Sequence, residues 1–168
     1  MLRFNKPKKM ILNDFVLKIN KRFAASNLVP KKPKYMKAPK KKVKGTNFNV
    51  NANSVIFGTH GLQAIESGRI KNRGLEFMRD ILSKRIDKRS KFWLRVFPHW
   101  PVTKKDIGSR MGGGKGAVDH YVCRIKKGMV IFEIETLHAK DEEAEKIFKA
   151  VIDQMPLKAR VIKRRLNF

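Results

Sequence analysis

The sequence predicts an α+β fold, a two-layer sandwich of two helices packed on a mostly antiparallel sheet. Three observations carry it. Short runs with period-two apolar alternation recur along the chain. Two longer stretches between them have apolar residues at helical spacing. The part of the chain that shows these patterns, residues 47–168, is large enough for one domain with its own core. Residues 1–46 read differently, as a basic N-terminal extension.

The elements follow in order. Leu12, Phe15, Val16, Ile19 and Phe23 recur at helical spacing and predict a short amphipathic helix over 10–23. Mitochondrial targeting peptides share that pattern but are typically Arg- and Ser-rich. Residues 30–46 (PKKPKYMKAPKKKVKGT) are Lys-rich and interrupted by Pro30, Pro33 and Pro39, so they read as an extended linker that cannot fold alone. Ser54–Gly58 and Leu62–Ser67 are strand candidates on either side of Thr59-His60-Gly61. Residues 72–87 form a helix with Leu75, Met78, Ile81, Leu82 and Ile86 on its apolar side. Lys91–Phe97 alternates as a strand, with Phe92, Leu94 and Val96 opposite Trp93, Arg95 and Phe97, and Pro98 and Pro101 end it. Val118–Ile125 and Met129–Glu135 read as a hairpin about Lys126-Lys127-Gly128. Asp141–Met155 is the clearest helix: Ala144, Ile147, Phe148, Val151, Ile152 and Met155 form its stripe, and three acids suit its positive N-terminal end. Lys158–Arg165 is a final basic strand.

Charge narrows the partner. The chain carries 40 Lys+Arg against 14 Asp+Glu, a net +26. That exceeds what solubility needs and calls for an anionic partner, of which nucleic acid is the natural one. Residues 1–46 hold 15 of the basic residues and one acid, Asp14, so this quarter of the chain carries over half the net charge. Lys31, Lys32, Lys34, Lys37, Lys40, Lys41, Lys42 and Lys44 are the candidate RNA contacts there, joined in the body by Arg69, Arg73 and Arg95. No stretch is long and apolar enough to span a membrane.

The segment Gly108-Ser109-Arg110-Met111-Gly112-Gly113-Gly114-Lys115-Gly116 stands out. Five of its nine residues are glycine, so its backbone N–H groups can approach phosphate closely, with Arg110 and Lys115 supplying charge. It is not a nucleotide-binding P-loop. Walker spacing requires glycine where Ser109 stands, and Ser or Thr where Gly116 stands. No catalytic site is legible. His60, His99, His120 and His138 lack metal-ligand spacing, and Asp119-His120 is an adjacent pair whose side chains should point to opposite faces of a strand. Glu133 and Glu135 share a strand face without an evident partner. Cys123, the lone cysteine, sits in an apolar run and reads as a buried, inert thiol. No enzyme activity, cofactor or metal is expected.

Gly58-Thr59-His60-Gly61-Leu62-Gln63-Ala64, Gly68-Arg69-Ile70, Trp93-Leu94-Arg95-Val96-Phe97-Pro98, Pro101-Val102-Thr103-Lys104-Lys105 and Arg110-Met111-Gly112-Gly113-Gly114-Lys115-Gly116 occur in the order and spacing of one family. On these motifs the chain resembles the bacterial-type ribosomal protein L-sixteen of the large subunit, from about Ser54 to Lys163. The resemblance implies a structural protein on large-subunit rRNA, between the central protuberance and the stalk base, that joins late in assembly. It implies that loop 110–116 reaches the tRNA cleft near the peptidyl-transferase centre and helps position aminoacyl-tRNA. Arg110 matches the family's loop arginine, which is hydroxylated in some bacteria, and Trp93 and Arg95 match its strand positions.

The chain departs from that pattern in three places. Gly113 stands where Lys is common, Trp100 stands for a typical Lys, and about 30 extra residues precede the usual family start. That extension, together with the whole chain's 27 Lys against 13 Arg and its ten Asn, favours a mitochondrial ribosome over a bacterial cytoplasmic or plastid one. The implied partners are large-subunit rRNA, tRNA and neighbouring ribosomal proteins, not a second copy of the chain. The competing reading is a free basic RNA-binding or RNA-chaperone protein.

Overall fold

In the computed structural model, residues 28–136 and 141–164 are described. The segment expected to be a helix over 10–23 lies outside them. The elements run α1 (Val50–Asn53), β1 (His60–Ala64), β2 (Gly68–Lys71), α2 (Asn72–Arg85), β3 (Lys91–Leu94), β4 (Trp100–Lys104), β5 (Ala117–Ile125), β6 (Val130–Glu135), α3 (Asp141–Ile152) and β7 (Ala159–Lys163). The fold is α+β, and every pair of these strands is antiparallel. The strands divide into two sheets, one ordered β3-β6-β1-β7 and the other β2-β5-β4.

The helices cover one face of the four-stranded sheet. Leu75, Met78 and Leu82 of α2 and Ala144, Phe148 and Val151 of α3 are buried against Leu62, Ala64, Phe132 and Ile134 of the sheet. Each of the larger side chains among these, the Leu, Met, Phe, Val and Ile, contributes roughly 1.5–3 kcal/mol of burial free energy. Leu28 also enters this core, and its N–H donates to Glu76 Oε1 at 2.7 Å. Strand β6 slips in register against β1 between Leu62 and Gln63. Ile131 and Phe132 are consecutive, yet both join the core. A bulge allows this by re-aiming one side chain.

The opposite face of that sheet is covered by residues 47–58. Val55 is buried there, over Gly61. This overturns the expectation of a strand at Ser54–Gly58: the backbone N–H groups of Ile56, Phe57 and Gly58 bond to a carboxylate, not to a neighbouring strand. His60 and Gly61, expected between two strands, instead open β1.

The expected hairpin also divides. Strand β5 pairs with β2 and β4, while β6 pairs with β1 and β3. Gly128 stands between β5 and β6 at φ +93°, with its N–H on Ala64 O. The chain therefore crosses from one sheet to the other where alternation alone suggested a turn back. Strand β3 ends at Leu94, although Arg95 N still donates to Ile131 O at 2.9 Å. Pro101, expected to end a strand, lies within β4. There β4 is an edge strand, where a missing donor is tolerated.

Candidate nucleic-acid interface

The glycine loop connects β4 to β5. Gly108, Gly112, Gly113 and Gly114 have φ of +84°, +95°, +66° and +82°. A Cβ at any of the four would meet open space, so backbone conformation, not crowding within the chain, demands glycine there. Gly116 is the opposite case: a Cβ would lie 2.4 Å from the Lys104 carbonyl oxygen where β4 and β5 come together. The loop encloses a concave surface lined by Lys104, Lys105, Arg110 and Lys115, with Asp106 as its one carboxylate. Lys105 Nζ donates to Gly112 O at 2.6 Å and holds the turn closed. Arg110 is exposed and Met111 stands fully in solvent.

Lys115, expected to supply charge to the loop, is also an anchor. Its ammonium donates to Ala38 O, and its own carbonyl accepts from Lys37 Nζ at 2.7 Å. The basic segment is thus tied to the loop and then to the body. Arg69 donates to Lys41 O, and Ser67 Oγ to Gly45 O at 2.8 Å. Asn47 N reaches Lys127 O at 2.9 Å. From Ala38 to Gly45 the body grips the segment by its carbonyl oxygens. The side chains of Lys40, Lys41, Lys42 and Lys44 stay exposed, as do those of Lys31, Lys32 and Lys34. Pro30, Pro33 and Pro39 leave the segment without a ladder of its own, which explains why body side chains order it.

Arg73 is exposed in the first turn of α2, a helix with no acidic residue in that turn and no side-chain cap. That end is therefore electropositive. Arg95, a candidate RNA contact, has partners within the fold. Its guanidinium turns inward to Glu133 Oε1, and its second nitrogen reaches Asn51 O at 2.8 Å.

Glu133, which the sequence leaves without an evident partner, finds several in the fold. It is fully buried, and one carboxylate oxygen accepts from Phe57 N at 2.7 Å and Gly58 N at 3.0 Å. Ile56 N adds a third donor at 3.2 Å. The signal in the sequence is an acid inside the apolar run Val130–Glu135. Gln63 plays a similar part, donating to Asn53 O and Gly128 O and accepting from Arg160.

Asp119, His120 and Cys123 are further titratable groups that the sequence singles out. Asp119 and His120, expected on opposite faces, bond at 2.7 Å. Strand β5 slips against β4 between Val102 and Thr103, so Asp119 is an extra residue opposite no partner. The His120 bond holds the Asp119 carboxyl below its usual range. Burial pushes the Cys123 thiol up to about 11, which leaves no thiolate for chemistry. Arg124 stacks 4.6 Å from the centre of the Trp100 ring. Among the described residues no group of three His, Cys, Asp or Glu side chains could hold a metal ion. No helix among them is long and apolar enough to cross a membrane.

The family described as Ribosomal protein L16p/L10e matches residues 30–162, a span that takes in the basic segment, the cover over the sheet and the glycine loop. The chain belongs to this family. Two relatives match over most of the chain. The large ribosomal subunit protein uL16 of Sulfurihydrogenibium sp. (strain YO3AOP1) is 41% identical over 138 residues, which is 82% of this chain and 97% of the relative. The large ribosomal subunit protein uL16 of Sulfurovum sp. (strain NBC37-1) is 38% identical over 135 residues, 80% of this chain and 93% of the relative. The L16p/L10e match begins at Pro30, where the described basic segment begins to run toward the loop.

Proposed function

We propose that this chain is a structural, non-enzymatic constituent of the large ribosomal subunit. It binds the subunit's rRNA, and loop 108–116 helps position aminoacyl-tRNA. One observation carries the RNA reading. The basic segment is held to the body by the carbonyls of Ala38, Lys41 and Gly45, and the side chains of Lys31, Lys32, Lys34, Lys40, Lys41, Lys42 and Lys44 stay exposed near the Lys104, Lys105 and Arg110 surface. That arrangement suits a phosphate backbone, which is matched by point charges along an extended track. The names of the relatives, both large-subunit proteins, support the assembly.

The Lys and Asn bias and the residues ahead of the family match favour a mitochondrial ribosome, although both relatives named are bacterial. The chain acts as one copy beside other ribosomal proteins. Segment 10–23, with its apolar residues at helical spacing, is the part suited to a protein neighbour.

Sedimentation and RNA crosslinking of native particles test the assembly. The chain should travel with the large subunit, with crosslinks at Lys31–Lys44 and at the loop. A chain that stays free of particles is a separate RNA-binding protein. Arg110→Ala tests the loop. The large subunit should assemble, and tRNA accommodation should slow by roughly tenfold, the equivalent of one charge-assisted bond. Accommodation at the wild-type rate would make the loop a passive filler.

A further inference from the structure

Phe57 is apolar, aromatic and 54% exposed, yet its backbone is tied down. Its N–H and those of Ile56 and Gly58 bond to the buried Glu133, so the backbone beneath the ring is fixed. The ring lies over β3. Its centre is 6.0 Å from that of Trp93, with the planes 29° apart. The Arg95 guanidinium sits 5.2 Å from the Phe57 centroid. Trp93 and Arg95 are alternate residues that project from the same side of the strand, so both back the inner face of the ring. Arg95 is fixed in turn by Glu133 and Asn51 O. Lys91, the preceding residue on that side, is exposed; the half-buried Glu135 lies opposite it in register.

We propose that Phe57 is a base-stacking platform, on which an unpaired RNA base lies against the outward face of the ring. Stacking needs a flat π-surface held in place, and both conditions are met. The occupant is a nucleobase by charge complementarity: the exposed Lys91, on the same side of the strand as Trp93, and the net +26 of the molecule favour an anionic chain that carries bases. The inference rests on the RNA-binding reading above and adds a site that reads the base instead of the phosphate.

The test compares the full chain with Phe57→Leu and Phe57→Tyr on two probes. One is a short single-stranded oligoadenylate. The other is an abasic ribose-phosphate chain of equal length, with the same phosphates and no bases. Leucine keeps apolar cover over Trp93 and Arg95 but lacks a π-face; equal unfolding midpoints confirm that the fold is intact. Wild type should prefer the oligoadenylate. Phe57→Leu should lose about tenfold on it and nothing on the abasic chain, and Phe57→Tyr should bind as wild type does. Equal affinity of wild type and Phe57→Leu for the oligoadenylate overturns the proposal, as does equal loss on both probes. If Phe57→Leu binds RNA normally but its particles lose a neighbouring protein, the ring is a protein contact and the proposal falls. Failure of wild type to bind either probe sinks the RNA-binding reading itself.

Discussion

Glu133 is a carboxylate cut off from water, and its partners decide whether it stabilises anything. Three backbone N–H groups and Arg95 satisfy it. Removing one member of a buried pair is costly because the other stays desolvated and unpaired. Glu133→Ala should therefore destabilise the chain by about 3–5 kcal/mol in urea unfolding. Arg95→Met together with Glu133→Leu should recover part of that loss; a double variant worse than Glu133→Ala would contradict this account. The loop glycines separate in the same way. Gly116→Ala places a methyl group against the Lys104 backbone and should lower the unfolding midpoint. Gly114→Ala meets no atom but is strained at φ +82°, at about 1–2 kcal/mol. It should reshape the exposed loop and leave the midpoint nearly unchanged. Thermal unfolding of the two variants checks the contrast, and equal shifts would mean that the loop is packed more tightly than its geometry states.

At the scale of elements, the start of α3 is fastened to the sheet by one side chain. Asp141 bonds Lys163 of β7 and, at 3.0 Å, His60 of β1. Lys163 first and His60 second hold its carboxyl below the usual range. A carboxyl depressed in the folded state contributes stability that is complete above its ordinary pKa. That contribution is lost as pH falls through the lower folded value. Asp141→Asn should thus destabilise the chain at pH 6, and the gap to wild type should narrow as pH drops below roughly 4. Urea midpoints of both chains across that range check it; a gap that widens in acid would have the wrong sign. The cover 47–58 and the basic segment before it have no sheet ladder of their own beyond a single bridge from Thr46 to Lys127. Body side chains order them, so their stability depends on Arg69, Lys115, Gln63 and Glu133.

The whole molecule joins a core of ordinary composition to a surplus of positive charge that only a polyanion offsets. The side chains of Lys40, Lys41 and Lys42 are exposed, so replacing them by Gln should leave the fold intact. It should flatten the salt dependence of RNA binding by up to about 0.9 in slope for each phosphate no longer neutralised. A titration across salt concentrations measures this, and an unchanged slope would place the RNA-binding cations elsewhere on the surface.

The sequence by itself determined the fold class, both long helices, the polyanionic partner and the glycine loop. Each is written in local terms: spacing of apolar residues, sign of charge, glycine density. Helix α3 is legible because one stripe from Ala144 to Val151 meets one core. Only the tertiary structure decided which strands pair, because alternation states a face and not a neighbour. The run from Val118 to Glu135 therefore looks like a hairpin while serving two sheets. The same limit hid Ser54–Gly58, whose donors find a carboxylate more than seventy residues away. It also hid the roles of Arg95 and Lys115. A basic side chain reads as a phosphate contact in a chain of net +26, and only folding brings Arg95 to Glu133 and Lys115 to the Ala38 carbonyl. Charge is a property of the residue; what neutralises or binds it is a property of the fold.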